Sequence, residues 1–152
     1  MGEVLTDIGE EYILDAYKDS GATLIIGLYA DADGPDGGTI TGAVSVGDGD
    51  DIGAITSEPG GDYSRVNEDI ANTSIDLSGS DAVIDIPQQD INVTNASETV
   101  NAYFVGINFA SDEAGDGGSP ADHLIHTGFL ASSRDLTDTD KFELTEAGGS
   151  LN

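Results

Sequence analysis

The chain has 152 residues, with thirty Asp and Glu against four Lys and Arg, and a formal charge of −26. Phosphate binding needs a cationic patch, so this balance argues against nucleic acid as a direct partner and, on the same ground, against an anionic membrane surface. Such a charge repels itself across a compact fold at low salt but is screened over about 3 Å at 1 M salt, so the composition fits a very salty medium.

The first segment predicts a helix over residues 3–19. Val4, Leu5, Ile8, Tyr12, Ala16 and Tyr17 recur at helical spacing, with Glu3, Asp7, Glu10, Glu11, Asp15 and Asp19 between them. Lys18 lies near the end, where the helix dipole favours a cation, and Gly21 is a natural stop. A segment this acidic does not read as a signal peptide.

After Gly21 the pattern turns β-branched and apolar on both faces over residues 23–29, as in a buried strand. Residues 31–61 are rich in Gly and Asp and read as long exposed loops around weak strands at 39–46 and 52–56. Short strands follow at 63–70, 73–77, 82–86, where Pro87 suits a strand end, and 91–94. The strongest strand signal is 100–110, with Tyr103, Val105, Ile107 and Phe109 on one face and Ala102 and Phe104 on the other. Residues 124–131 read as its antiparallel neighbour across an acidic loop, and 141–145 as a last strand. The expected fold is mainly β: one domain over residues 1–152, an antiparallel β-sandwich or barrel-like body at 22–151 preceded by one N-terminal α-helix. Acidic, Gly-rich loops are expected at 31–38, 47–62 and 111–121.

With no Cys there is neither a disulfide nor a thiolate site. No stretch approaches the roughly 20 apolar residues of a membrane-spanning helix. Asp31, Asp33 and Asp36 resemble half of a calcium loop, although Pro35 breaks the EF-hand pattern and no Glu stands at its twelfth position. These residues are the candidate site for Ca²⁺ or Mg²⁺, with a solvated acidic loop as the alternative. Asp48, Asp50 and Asp51, and Asp112, Glu113 and Asp116, carry the same ambiguity. His123 and His126 are three apart, which on a strand sends them to opposite faces and suits no shared metal; a helix would bring them together, but Thr127-Gly-Phe-Leu130 argues for a strand. Neither a nucleophile elbow nor a phosphate loop is present, and no catalytic residue or cofactor is expected. Asn72, Asn92 and Asn95 each open an acceptor triplet for a glycan. Arg65 and Arg134 are conspicuous in so acidic a chain; each either neutralises acids within the fold or anchors an acidic neighbouring subunit.

The order of several motifs resembles that of a known group. Leu5-Thr-Asp-Ile-Gly-Glu-Glu-Tyr12 is followed by Ala22-Thr-Leu-Ile-Ile-Gly-Leu-Tyr29 and Ile55-Thr-Ser-Glu-Pro-Gly-Gly-Asp-Tyr-Ser-Arg65. Val100-Asn-Ala-Tyr-Phe104, His123-Leu-Ile-His-Thr-Gly-Phe-Leu130, Arg134-Asp-Leu136, Asp140-Lys-Phe-Glu-Leu144 and Gly149-Ser-Leu151 complete the series. The series is similar to small structural proteins encoded near the head genes of tailed viruses, and its acidity to those of haloarchaeal tailed viruses. The resemblance implies a non-enzymatic virion component assembled in the host cytoplasm. A capsid decoration or turret protein beside the major capsid protein is the expected placement, a homo-oligomer the expected state, and a tail or neck position the competing placement. The acidic insertion at 31–51 departs from the pattern. A cation- or sugar-binding module of a halophile is the reading outside this group.

Overall fold

The computed structural model describes residues 7–31, 52, 55, 57–76, 82–108, 123–145 and 147–151. The fold is mainly β, with antiparallel, sandwich-like sheets behind one N-terminal helix; no barrel closes among the described residues. The expected strands at 39–46, and the loops at 31–38 beyond Asp31 and at 111–121, lie outside the described residues.

The helix α1 (Asp7–Lys18) ends where the sequence places Lys18, and Gly21 takes the left-handed φ of +69° that turns the chain. Its buried stripe differs from the expected one. Leu14 is buried and packs with Tyr17 against Ile84 and Ile75, whereas Tyr12 is 76 % exposed. The i, i+3 pair Leu14 and Tyr17 meets the sheet, and this turns Tyr12 and Ala16 toward solvent.

The strands are β1 (Thr23–Tyr29), β2 (Val66–Asp69), β3 (Ser74–Asp76), β4 (Ala82–Ile86), β5 (Gln89–Asn92), β6 (Thr99–Asn108), β7 (His123–Asp135), β8 (Lys141–Leu144) and β9 (Ala147–Leu151). The four-stranded sheet β2-β1-β6-β7 is the centre; β3-β4-β9 and β5-β8 are smaller sheets beside it. The antiparallel pairing of β6 with β7 is as expected, but β7 is longer than the apolar run 124–131 indicates. Ile70 leaves the expected strand 63–70 for a 3-10 turn, Ile70–Asn72, capped by Asp69, whose side chain accepts from the Ala71 N–H at 2.9 Å. Ile52 and Ile55 are buried outside any strand. The strand β9 carries two adjacent glycines and gave no β signal.

Both faces of the central sheet are covered, which is why β1 and β6 are apolar at nearly every position. Leu24, Ile26, Leu28, Tyr103, Val105 and Ile107 face the main core with Ile91, Val93, Leu130, Leu136 and Leu144. Ile25, Tyr29, Ala102 and Phe104 face the other way, against Ile52 and Ile55. Gly27 is required on that second face, where a Cβ would collide with the Phe104 ring and the Tyr63 hydroxyl.

Candidate interaction sites

Asp31 follows the last residues of β1. The Ala30 N–H donates to the Ser57 carbonyl at 3.0 Å, and the Ser57 hydroxyl to the Ala30 carbonyl at 2.8 Å. One residue on, Asn101 of β6 clamps the chain: its Oδ1 accepts from the Asp31 N–H at 2.6 Å and its Nδ2 donates to the Asp31 carbonyl at 2.7 Å. Asp31 is itself buried, at 4 % exposure. Beside it the Tyr29 hydroxyl is buried, near Thr127 and Asp31, with no hydrogen bond of normal geometry among the described residues. Burial, with the neighbouring Asp31 charge, pushes the Tyr29 phenol up to about 12. Asp33 and Asp36, the residues expected to complete a cation site with Asp31, lie outside the described residues, as do Asp48, Asp50, Asp51, Asp112, Glu113 and Asp116. Among the described residues no group of three or more His, Asp or Glu is placed to hold a metal.

Arg65 is committed to the fold. Its Nε donates to Glu58 Oε1 at 2.9 Å and its second terminal nitrogen to Oε2 at 2.5 Å, a bidentate pair. The guanidinium carbon sits 5.4 Å from the Phe104 ring centroid. Tyr63 extends the network, donating to Glu58 Oε1 at 2.8 Å and accepting from the Leu28 N–H at 3.0 Å. Burial, then the Glu58 charge, holds the Tyr63 phenol well above its ordinary range. This network pins the 57–65 segment onto β1 and β6.

Arg134 is placed differently. It is exposed near the end of β7, in register with Val100. Between the pairs Val100–Arg134 and Ala102–Phe129, the single β6 residue Asn101 faces four residues of β7. The Asn101 side chain is turned to Asp31, and β7 bulges away to leave a groove of about 150 Å³ against β8. Leu130, Phe142 and Leu144 line it with Arg134 and Glu143. Lys141 bonds Glu143 at 2.8 Å and Asp90 at 3.2 Å beside this groove.

A second bulge changes the histidine geometry. Ile125 is an extra residue in β7, so the backbone of His123 comes into register with Ile107 and that of His126 with Val105. The opposite-face expectation assumes an unbroken strand, and the His123 side chain lies outside the described residues. His126 Nε2 lies 3.1 Å from the Tyr103 hydroxyl, and burial lowers its pKa. Opposite Tyr103, Gly128 leaves room for the ring.

The three acceptor asparagines are all exposed. Asn72 donates to Glu68 at 2.6 Å, and Asn92 and Asn95 donate to the carbonyl and carboxylate of Asp62, each at 2.7 Å. Asn92 Oδ1 also accepts from the Thr94 N–H at 3.3 Å, closing an Asx turn, and from the Thr94 hydroxyl at 2.7 Å.

Sequence reasoning singled out Asp31, Arg65 and Arg134 but missed the residues that define their settings. Asn101 is the one polar residue within the apolar run 100–107, a usable signal. Glu58 was hidden among thirty acids. Compared with known proteins, the chain matches no family model, no curated protein sequence and no solved structure.

Proposed function

We propose that this chain is a non-enzymatic structural component of a halophilic tailed virus, attached to the capsid as a decoration or turret protein. One observation carries the reading. The motifs behind the resemblance are individually short, yet residues 22–29, 100–104 and 123–130 fall on β1, β6 and β7, three adjacent strands of the central sheet. The remaining motifs fall on α1, the segment before β2, the end of β7, β8 and β9, and the placement of these three on neighbouring strands is what supports the reading. The charge supports the same reading: acids distributed over the chain suit a surface held in brine, and they disfavour contact with a packaged genome. In this reading the chain self-associates and binds the major capsid protein, and the particle assembles in the host cytoplasm.

A tail or neck position is the competing placement, since the same fold features serve it equally. Immunogold electron microscopy of particles kept in molar NaCl distinguishes the two. Label over the head surface supports decoration, label at the neck or tail supports the alternative, and label absent from particles rejects both. Gene neighbours encoding terminase, portal, protease and capsid proteins are expected; their absence contradicts the virion reading. The module reading is tested by calorimetry with Ca²⁺ in molar NaCl, where heat beyond dilution would favour it.

A further inference from the structure

Three acceptor triplets for N-linked sugar stand at the surface, and the structure separates them. The modification needs Asn-x-Ser/Thr with both the carboxamide and the hydroxyl two residues on within reach of a transferase. Asn72 ends the 3-10 turn, and its hydroxyl residue, Ser74, opens β3, in register with Asp85 of β4. Thr73 between them is buried, its hydroxyl donating to the Ile70 carbonyl at 2.7 Å. Asn92 is the last residue of β5, in register with Lys141 of β8. Its Oδ1 already holds the N–H and the hydroxyl of Thr94, the hydroxyl residue of its own triplet, which is half-buried. Both triplets are thus tied into a sheet.

Asn95 is placed differently. It is third in the four-residue turn Val93–Ala96, which the Ala96 N–H closes on the Val93 carbonyl at 3.0 Å, and its φ is 60°. That left-handed position explains an Asn by itself. It does not explain Ser97, which is exposed, lies outside any strand, and uses its hydroxyl in no hydrogen bond among the described residues. The segment from Val93 to Glu98 joins β5 to β6 without belonging to either, so a transferase can draw it out without breaking a strand pairing. Ala96 between acceptor and hydroxyl is buried, but the middle position is restricted only against proline.

We infer that Asn95 is an N-glycosylation site, taking its sugar from a donor activated as a phosphate ester. Asn95 Nδ2 attacks the anomeric carbon of the donor. The new N–C bond forms as the C–O bond to phosphate breaks, and the bonding pair leaves with the phosphate. One Nδ2 proton passes to a carboxylate of the transferase. The second N–H stays on the nitrogen and is available to Asp62 Oδ2, which Asn95 already meets at 2.7 Å. A cytoplasmic sugar nucleotide and a membrane-held polyprenyl-phosphate sugar share this chemistry. The inference goes beyond the proposed function and does not rest on it.

The test is glycopeptide mass spectrometry on the full chain purified from the culture that makes it, and on variants produced in the same host. The peptide spanning residues 92–98 is expected to carry at least one sugar residue on Asn95. Asn95→Gln and Ser97→Ala are each expected to lose it, and Asn72→Gln and Asn92→Gln to keep it, with circular dichroism as the folding control. Should Asn95→Gln fail to fold, Ser97→Ala removes the triplet and leaves the turn residue in place. An unmodified Asn95 in the native chain overturns the inference, as does sugar on Asn72 or Asn92 in its stead, or a Ser97→Ala chain that is still modified. Unmodified chain is then incubated with a sugar nucleotide and host cytosol, or with host membranes. Transfer by cytosol identifies the nucleotide donor, transfer by membranes the lipid-linked one, and transfer by neither contradicts the inference.

Discussion

Asn101 and Asp31 are seventy residues apart in sequence, yet the carboxamide of one satisfies both backbone groups of the other, at 2.6 and 2.7 Å. The side chain behaves as a short piece of strand. It fastens the exit of β1 to β6 and, by turning away from β7, accompanies the bulge that opens the β7–β8 groove.

Replacing Asn101 by Ala therefore leaves a buried N–H and a buried carbonyl unsatisfied. The expected cost is about 2–4 kcal/mol, from the penalty for stranded buried groups. In a chain of this length that lowers Tm by about 5–12 °C. Thermal unfolding followed by circular dichroism in molar NaCl checks this; an unchanged Tm contradicts the clamp.

Arg65→Lys is expected to destabilise by about 1–2 kcal/mol although charge is conserved, because an ammonium cannot reproduce the bidentate pair with Glu58 or the planar contact on Phe104. The pair is half-buried, which keeps the figure below that of a fully buried one. Arg134→Lys, by contrast, is expected to leave the stability of the isolated chain unchanged. Equal losses at the two positions would contradict the division between a structural and an outward arginine.

Stability is expected to fall on both sides of neutrality, for different groups. Burial lowers the pKa of His126, so near its ordinary value of 6.5 the unfolded chain binds the proton that the folded chain refuses. Stability is then lost as pH falls below about 6.5, the model-peptide value. The His126→Gln variant is expected to flatten that arm of a Tm-against-pH curve. Burial raises the phenols of Tyr17, Tyr29 and Tyr63 from 10.0, Tyr29 to about 12. Their contribution is complete below 10 and is lost as pH rises through the folded values, giving an alkaline arm that His126→Gln does not alter.

Salt is the strongest expected control. Dialysis from molar NaCl to about 0.1 M lengthens the Debye screening distance from about 3 to about 10 Å. Loss of the β-type circular dichroism signal is expected, recovered when salt is restored. An unchanged spectrum contradicts the link between charge and habitat.

The elements legible in the sequence were those with both a pattern and clean ends: α1, β1, β4 and β6 follow from periodicity, Gly21, Pro87 and an apolar run. The exceptions have local physical causes. The two glycines of β9 carry no side-chain pattern; its place comes from pairing with β4. The faces of β7 follow a period of two only until Ile125 inserts an extra residue, so the relation of His123 to His126 depended on a bulge with no sequence signature. The pairing of Arg65 with Glu58 was unreadable because any of thirty acids could have been its partner. Composition made the arginines visible and at the same time concealed what they touch.

The most direct test of the proposed virion role is quantitative mass spectrometry of particles purified by density in molar NaCl. The expected result is this chain at a fixed, multiple-copy ratio to the major capsid protein across preparations. Its absence from particles, while it is abundant in the lysate of the same culture, would contradict the assignment.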